Sequence, residues 1–184
     1  MSLPPGITPN RITILRICLI PLYLLALFLL PHGDLWAAGV FLIASLSDML
    51  DGNLARKYDL VTTMGKFIDP LADKMLVLTA LISLLAIHRL PVWVVLIILW
   101  RELAVDGLRI IAAEKGVIIV ASRWGKLKTL LQMIMIEAAL LIELSFLPQP
   151  AYTVALYIVM SVAVIMTVYS GVDYFRHGLV HLRK

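Results

Sequence analysis

The chain has 184 residues, is 61% hydrophobic with a mean hydropathy of +0.97, and carries a formal net charge of +4. This composition excludes an ordinary soluble domain, and residues 1–184 read as a single polytopic membrane domain with no room for a separate soluble one. One cysteine, Cys18, excludes an internal disulfide, and no nucleic-acid motif accompanies the basic charge, which topology and anionic lipid are enough to explain.

Residues 1–10, MSLPPGITPN, lack the basic n-region of a cleavable signal peptide, and residues 1–11 read as a short interfacial segment. Six apolar helical spans are predicted at 12–30, 35–56, 64–87, 91–113, 125–147 and 151–175. Short breaks at 31–34, 88–90 and 148–150 fall on one side of the membrane and hold one basic residue, Arg89. The opposite side takes the N-terminus, 57–63, 114–124 and the C-terminal tail. It carries Arg11, Lys57, Lys115, Arg123, Arg176, Arg183 and Lys184, with Lys66, Lys126 and Lys128 near its helix ends. By the positive-inside rule both termini face the cytoplasm. The predicted fold is therefore an all-α integral membrane protein with six transmembrane helices.

The most informative residues sit where the second and third spans meet, in SDMLDGNLARKYDLVTTMGKFIDPLADK. Asp48 and Asp51 are three residues apart and Asp69 and Asp73 are four apart, so each pair shares a helical face. Ionised carboxylates inside apolar segments are costly and need partners or a task. If the helices fold back antiparallel about residue 60, Asp51 lies level with Asp69 and Asp48 with Asp73. Four carboxylates at one depth repel unless cations lie between them, which predicts a site for two hard divalent ions. Gly52, Ala55 and Gly65 keep the inner surface low, and Arg56, one turn after Asp51 and Gly52, suits a polyphosphate-type anion.

The run from Asp48 to Asp73 reads D-x2-D-G-x2-A-R-x8-G-x3-D-x3-D, which resembles the signature of the CDP-alcohol phosphotransferase family at every fixed position. The resemblance extends to TPNRITILR, LVTTMGKFIDPLADK, RELAVDGLR and GKLKT, which are similar to segments of bacterial members that use glycerol 3-phosphate as acceptor. It implies that Asp48, Asp51 and Asp69 hold two Mg2+ ions (or Mn2+), and that Asp73 both ligates the second ion and takes the acceptor's proton. It also implies that Gly52, Arg56 and Thr62 surround the CDP moiety, with Ile7, Thr8, Pro9 and Asn10 closing over the nucleotide from the membrane surface. The implied reaction passes the phosphatidyl group of CDP-diacylglycerol to sn-glycerol 3-phosphate, releasing CMP, in a homodimer of the bacterial inner membrane whose active site faces the cytoplasm.

The acceptor is itself an anion and needs cations. Arg101 and Arg109 lie two turns apart on the fourth span, and Lys126 and Lys128 open the fifth at the same cytoplasmic level as Arg109. Arg109 and Lys126, with Arg101 and Lys128, are therefore the predicted acceptor-phosphate residues. One departure from the family pattern is Asp106, where many members carry a small hydroxyl residue; its charge bears on Arg101 and Arg109.

Simpler readings exist for each group. For the aspartates the simpler reading is a structural ion-pair network with Arg56, Lys66, Lys74 and Arg101, and for Arg101 and Arg109 it is charge balance with Glu102 and Asp106. Lys126 and Lys128 double as positive-inside anchors, and Arg56 as a snorkelling residue. His32, His88, His177 and His181 read as loop or tail residues. Trp36, Trp93 and Trp124 read as an interfacial belt, Trp100 fits no belt, and Glu137 and Glu143 receive no role. At the level of function, a different acceptor (serine, inositol phosphate or phosphatidylglycerol) stays open. An ion or metabolite transporter is opposed by the lack of inverted repeats and the one-sided charge. An aspartate-rich prenyl-transferase fits the motif intervals poorly.

Overall fold

The computed structural model describes the backbone of residues 9–58, 63–116, 122–141 and 148–182, and side chains within 15–47, 71–72, 74–116, 122–141, 148 and 150–178. Six helices account for nearly all of it: α1 (Pro9–Leu29), α2 (Gly33–Tyr58), α3 (Thr63–Ala86), α4 (Val92–Glu114), α5 (Arg123–Leu140) and α6 (Gln149–Leu182). No strand occurs among the described residues.

The helix limits depart from the sequence reading at informative places. Pro9 and Asn10 belong to the first turn of α1 rather than to a separate interfacial segment; a proline costs little there because its missing N–H has no intrahelical partner anyway. Helix α6 runs on to Leu182, so His177 and His181 are helical and not tail residues. His177 closes an i,i+4 pair with Asp173, its Nδ1 3.2 Å from the carboxylate. His32 and His88 do lie in turns, both in the left-handed region with φ of 53° and 59°.

Contacts divide the chain into two compact units, Met1–Ser83 with Leu140–Leu144, and Leu84–Ala139 with Ser145–Lys184. In the first, α1 and α2 form an antiparallel hairpin across a short turn. Tyr23 and Phe41 meet with ring centroids 6.3 Å apart, among the small buried residues Ala26, Ala37, Ala38 and Ala44. Gly33 is required at the turn, because a Cβ there would stand 2.6 Å from the carbonyl oxygen of Ala26. Tyr23 hydroxyl also lies 2.9 Å from Ser83 Oγ on α3.

In the second unit α5 runs antiparallel to both α4 and α6, so α4 and α6 run parallel. Arg89 Nη1 donates to the carbonyl of Ala139 at 3.2 Å at one end, and Lys128 reaches Glu102 nearer the other. Along α6, Tyr152 hydroxyl donates to Ala138 carbonyl, Gln132 Nε2 donates to Thr167 Oγ1 at 3.1 Å, and Trp124 packs edge-on to Tyr169 at 5.1 Å.

Polarity in this unit is inverted relative to a soluble bundle. Lys128, Gln132, Thr167 and Ser170 are buried, while α6 exposes Val154, Tyr157, Ile158, Val162, Ile165, Val168, Tyr169 and Val172. A helix that is apolar on its outward face and polar on its inner one belongs in lipid or against a partner, not in water. Helix α4 repeats the pattern with Trp93, Leu96, Trp100, Leu103 and Ile110 outward, which accounts for Trp100: it continues an exposed apolar stripe. Among the described residues one segment, Pro150–Gly178, is by itself long and apolar enough to cross a membrane. Among the described residues, Leu15–Leu29, Gly33–Ser47 and Lys74–Ala86 form shorter apolar helical segments.

Candidate active site

Helix α2 ends at Tyr58 and α3 begins at Thr63, so both aspartate pairs lie within helices that flank residues 59–62. Asp48 and Asp51 occupy the last three turns of α2, with Gly52 and Arg56 following; Asp69 and Asp73 occupy the first three turns of α3. Helical geometry brings residues three and four apart to the same face, which is the arrangement that each aspartate pair requires. The side chains of Asp48, Asp51, Gly52, Arg56, Asp69 and Asp73, and residues Ile7, Thr8 and Thr62 altogether, lie outside the described residues, as do the side chains of Pro9 and Asn10. As a donor set, four carboxylates with no thiol or imidazole at the motif positions fit a hard divalent cation such as Mg2+ or Mn2+. Among the described residues, no group of three or more His, Cys, Asp or Glu side chains offers an alternative metal centre.

Arg16 has no counterpart in the sequence reading. It sits on α1 with 3% of its surface exposed. It lies seven residues, about two helical turns, before Tyr23 on α1. The available signal was an arginine inside an otherwise apolar span, which is expensive unless it faces protein.

The predicted acceptor cations lie in the second unit, and the structure separates them by environment. Arg101 and Lys128 share one carboxylate. Arg101 Nη1 donates to Glu102 Oε1 at 3.2 Å, and Lys128 Nζ bonds the same oxygen. Arg101 Nη2 also donates to Ser170 Oγ at 3.1 Å, and Ser170 donates to the Thr167 carbonyl at 3.1 Å. Gly171 makes room for this, since a Cβ there would stand 3.2 Å from Arg101 Cγ. Arg101 Nε is buried with no hydrogen-bond partner. The charge balance weighed for Arg101 is therefore present through Glu102, and Lys128, nearly fully buried, is no surface anchor.

Arg109 and Lys126, in contrast, are exposed. Arg109 Nε donates to Tyr174 hydroxyl at 2.6 Å, and its Cζ lies 5.2 Å from the centre of the same ring. Asp106 is half-buried on α4 between the two arginines. Among the four, Arg109 and Lys126 are thus exposed, whereas Arg101 and the buried Lys128 are tethered to Glu102.

Comparison with known proteins bears on both regions. Residues 6–169 match the sequence profile of the CDP-alcohol phosphatidyltransferases. The chain is similar to the CDP-diacylglycerol–glycerol-3-phosphate 3-phosphatidyltransferase of Bacillus subtilis, at 42% identity over 91% of this chain and 92% of that one. It is similar also to a probable phosphatidylglycerophosphate synthase of Mycobacterium tuberculosis, at 42% identity over 92% of this chain and 80% of the relative. Among solved structures, the apo phosphatidylinositol phosphate synthase of Mycobacterium tuberculosis shares the fold, with a TM-score of 0.67 at 24% identity over 95% of this chain and 90% of that one. The same enzyme with CDP-diacylglycerol bound aligns with a TM-score of 0.66 at 23% identity, over 94% of this chain and 87% of that one.

Proposed function

The chain belongs to the CDP-alcohol phosphatidyltransferase family, and on that premise we propose that it transfers the phosphatidyl group of CDP-diacylglycerol to sn-glycerol 3-phosphate, giving phosphatidylglycerophosphate and CMP. The observation that carries this reading is the complete aspartate motif on consecutive helices, in a chain 42% identical along nine-tenths of its length to a relative named for this reaction. The family match runs from residue 6 to 169, which supports one catalytic domain spanning both compact units.

The primary hydroxyl of glycerol 3-phosphate forms a new bond to the phosphorus that bears diacylglycerol. The bond from that phosphorus to the bridging oxygen breaks, and CMP leaves with that oxygen. Asp73 accepts the hydroxyl proton. Asp48, Asp51, Asp69 and Asp73 would hold two Mg2+ or Mn2+ ions; family members generally depend on a divalent metal. Bound there, the ions would neutralise charge on the phosphate oxygens. Gly52, Arg56 and Thr62 receive the CDP moiety, with the stretch Ile7–Asn10 closing over it, while the acyl chains stay in the bilayer. Arg109 and Lys126 bind the acceptor's phosphate from exposed helix ends, with Arg101 and Lys128 adding positive potential beneath them.

Six spanning helices, both termini cytoplasmic, a homodimer and residence in the bacterial inner membrane complete the reading. The apolar outward faces of α4 and α6 support membrane residence, and Arg89 as the lone basic residue of the opposite ends supports the orientation. The test is CMP release from CDP-diacylglycerol by purified protein given a panel of acceptors. Glycerol 3-phosphate should be the productive one. A protein that ignores it and uses serine or inositol phosphate keeps the family and overturns the acceptor.

A further inference from the structure

Arginine binds phosphate through a planar fork of N–H donors, and its selectivity depends on which edge of that fork is left available. A long exposed side chain also pays rotamer entropy when a ligand fixes it, so an arginine already held in place binds more tightly. Arg109 is exposed on α4, yet it is not loose. Its Nε–H is taken by Tyr174 hydroxyl at 2.6 Å, and its Cζ lies 5.2 Å from the Tyr174 ring centre. Among the described residues its guanidinium takes no other partner, which leaves the N–H donors of both terminal nitrogens available.

Tyr174 is built to hold that position. It is 4% exposed and packs in a cluster with Val105 and Leu108 of α4, against which Phe175 also lies. Its ring is therefore fixed by apolar neighbours on both helices, while its hydroxyl emerges at the arginine. The parallel run of α4 and α6 makes this possible, since it keeps residues 105–109 and 174–175 at one level. Tyr174 lies beyond the residues matched to the family, 6–169, and no part of the reaction described above requires it.

We propose that Tyr174 is a positioning residue for acceptor recognition: it occupies the Nε edge of Arg109 and directs the paired terminal nitrogens toward the phosphate of the acceptor. This rests on the reading of Arg109 as an acceptor-phosphate residue. It specifies in addition that the phosphate is gripped end-on, by the two terminal nitrogens, rather than from the Nε side.

The experiment compares steady-state kinetics of Tyr174→Phe, Arg109→Ala, Arg109→Lys and the doubles Y174F/R109A and Y174F/R109K, with glycerol 3-phosphate and CDP-diacylglycerol varied in turn. Phenylalanine keeps the buried ring and removes the hydroxyl. Tyr174→Phe should raise KM for glycerol 3-phosphate roughly three- to tenfold, as expected for one hydrogen bond to a charged group, with KM for CDP-diacylglycerol unchanged. Arg109→Lys, which keeps the charge but has no Nε–H, should weaken the acceptor as well. Adding Tyr174→Phe to either Arg109 variant should change nothing further. A Tyr174→Phe enzyme with normal acceptor KM, while Arg109→Ala is impaired, overturns the positioning role and leaves the Arg109 reading intact. Normal acceptor KM in Arg109→Ala overturns both. Effects of the two substitutions that multiply in the double variants, or that fall equally on both substrates, reduce Tyr174 to a packing residue and overturn the proposal.

Discussion

Replacing Glu102 by Gln isolates the electrostatic part of the buried cluster. Glutamine keeps the shape and one acceptor oxygen but removes the negative charge that Arg101 and Lys128 share. Lys128 is 4% exposed and the Glu102 side chain 21% exposed, so the pair is neither a surface salt bridge nor fully sealed. Breaking a sealed pair costs about 3–5 kcal/mol; partial exposure and the surviving amide oxygen reduce this to roughly 2–3 kcal/mol. For a chain of this length each kcal/mol moves the thermal midpoint by about 2–4 °C, so Glu102→Gln should melt roughly 4–12 °C lower. Intrinsic tryptophan fluorescence in detergent is a suitable assay, because Trp124 packs on Tyr169 within the same unit. The decisive comparison is the double variant E102Q/K128M. Removing one of the two cations should raise the midpoint above that of Glu102→Gln alone. If Glu102→Gln melts within about 2 °C of the parent, or if the second substitution lowers the midpoint further, the shared carboxylate does not stabilise the cluster.

The catalytic reading makes separate demands. Chelation should abolish CMP release and Mg2+ or Mn2+ should restore it; full turnover after exhaustive chelation would remove the metal assignment. Asp48→Asn and Asp69→Asn should lose divalent-ion binding together with productive CDP-diacylglycerol binding. Asp73→Asn should retain more donor binding yet lose turnover, and near-normal turnover would eliminate it as proton acceptor. Arg109→Ala and Lys126→Ala should each weaken the acceptor by about ten- to hundredfold, equivalent to roughly 1.5–3 kcal/mol, with little change toward CDP-diacylglycerol; equal defects toward both would assign them to stability.

Much of the helical plan was legible because apolar runs and turn residues punctuate the chain plainly. The break at 31–34 corresponds to the turn before Gly33, and that at 88–90 to the turn before α4. Helix α6 was read too short because its end, VDYFRHGLVHL, is polar enough to resemble a tail. In the structure that stretch is amphipathic, burying Tyr174 and Gly178 while exposing Arg176 and His177. The aspartates stood out because their intervals are local and helical. The partnership of Glu102 with Lys128 was beyond reach, since it joins residues 26 apart across two helices, and Arg101 with Ser170 spans 69. Tyr174 gave no signal at all: one tyrosine in a mixed segment means little until α4 is laid beside it. Arg16 did give one, an arginine deep in an apolar span, which only its burial in the folded chain makes readable.

The polar cluster of the second unit also imposes a schedule on biosynthesis. Helix α4 brings Arg101, Glu102, Asp106 and Arg109 into being before any of their partners on α5 or α6 exist. Ser170, the partner of Arg101, is made 69 residues later. At ribosomal rates of about 5–20 residues per second, that is a wait of roughly 3–14 s. During it, the adjacent Arg101 and Glu102 can neutralise one another, and the polar face of α4 waits for α5 and then α6 to cover it. Assembly of this unit is therefore ordered in time, and it is complete only once α6 has been made.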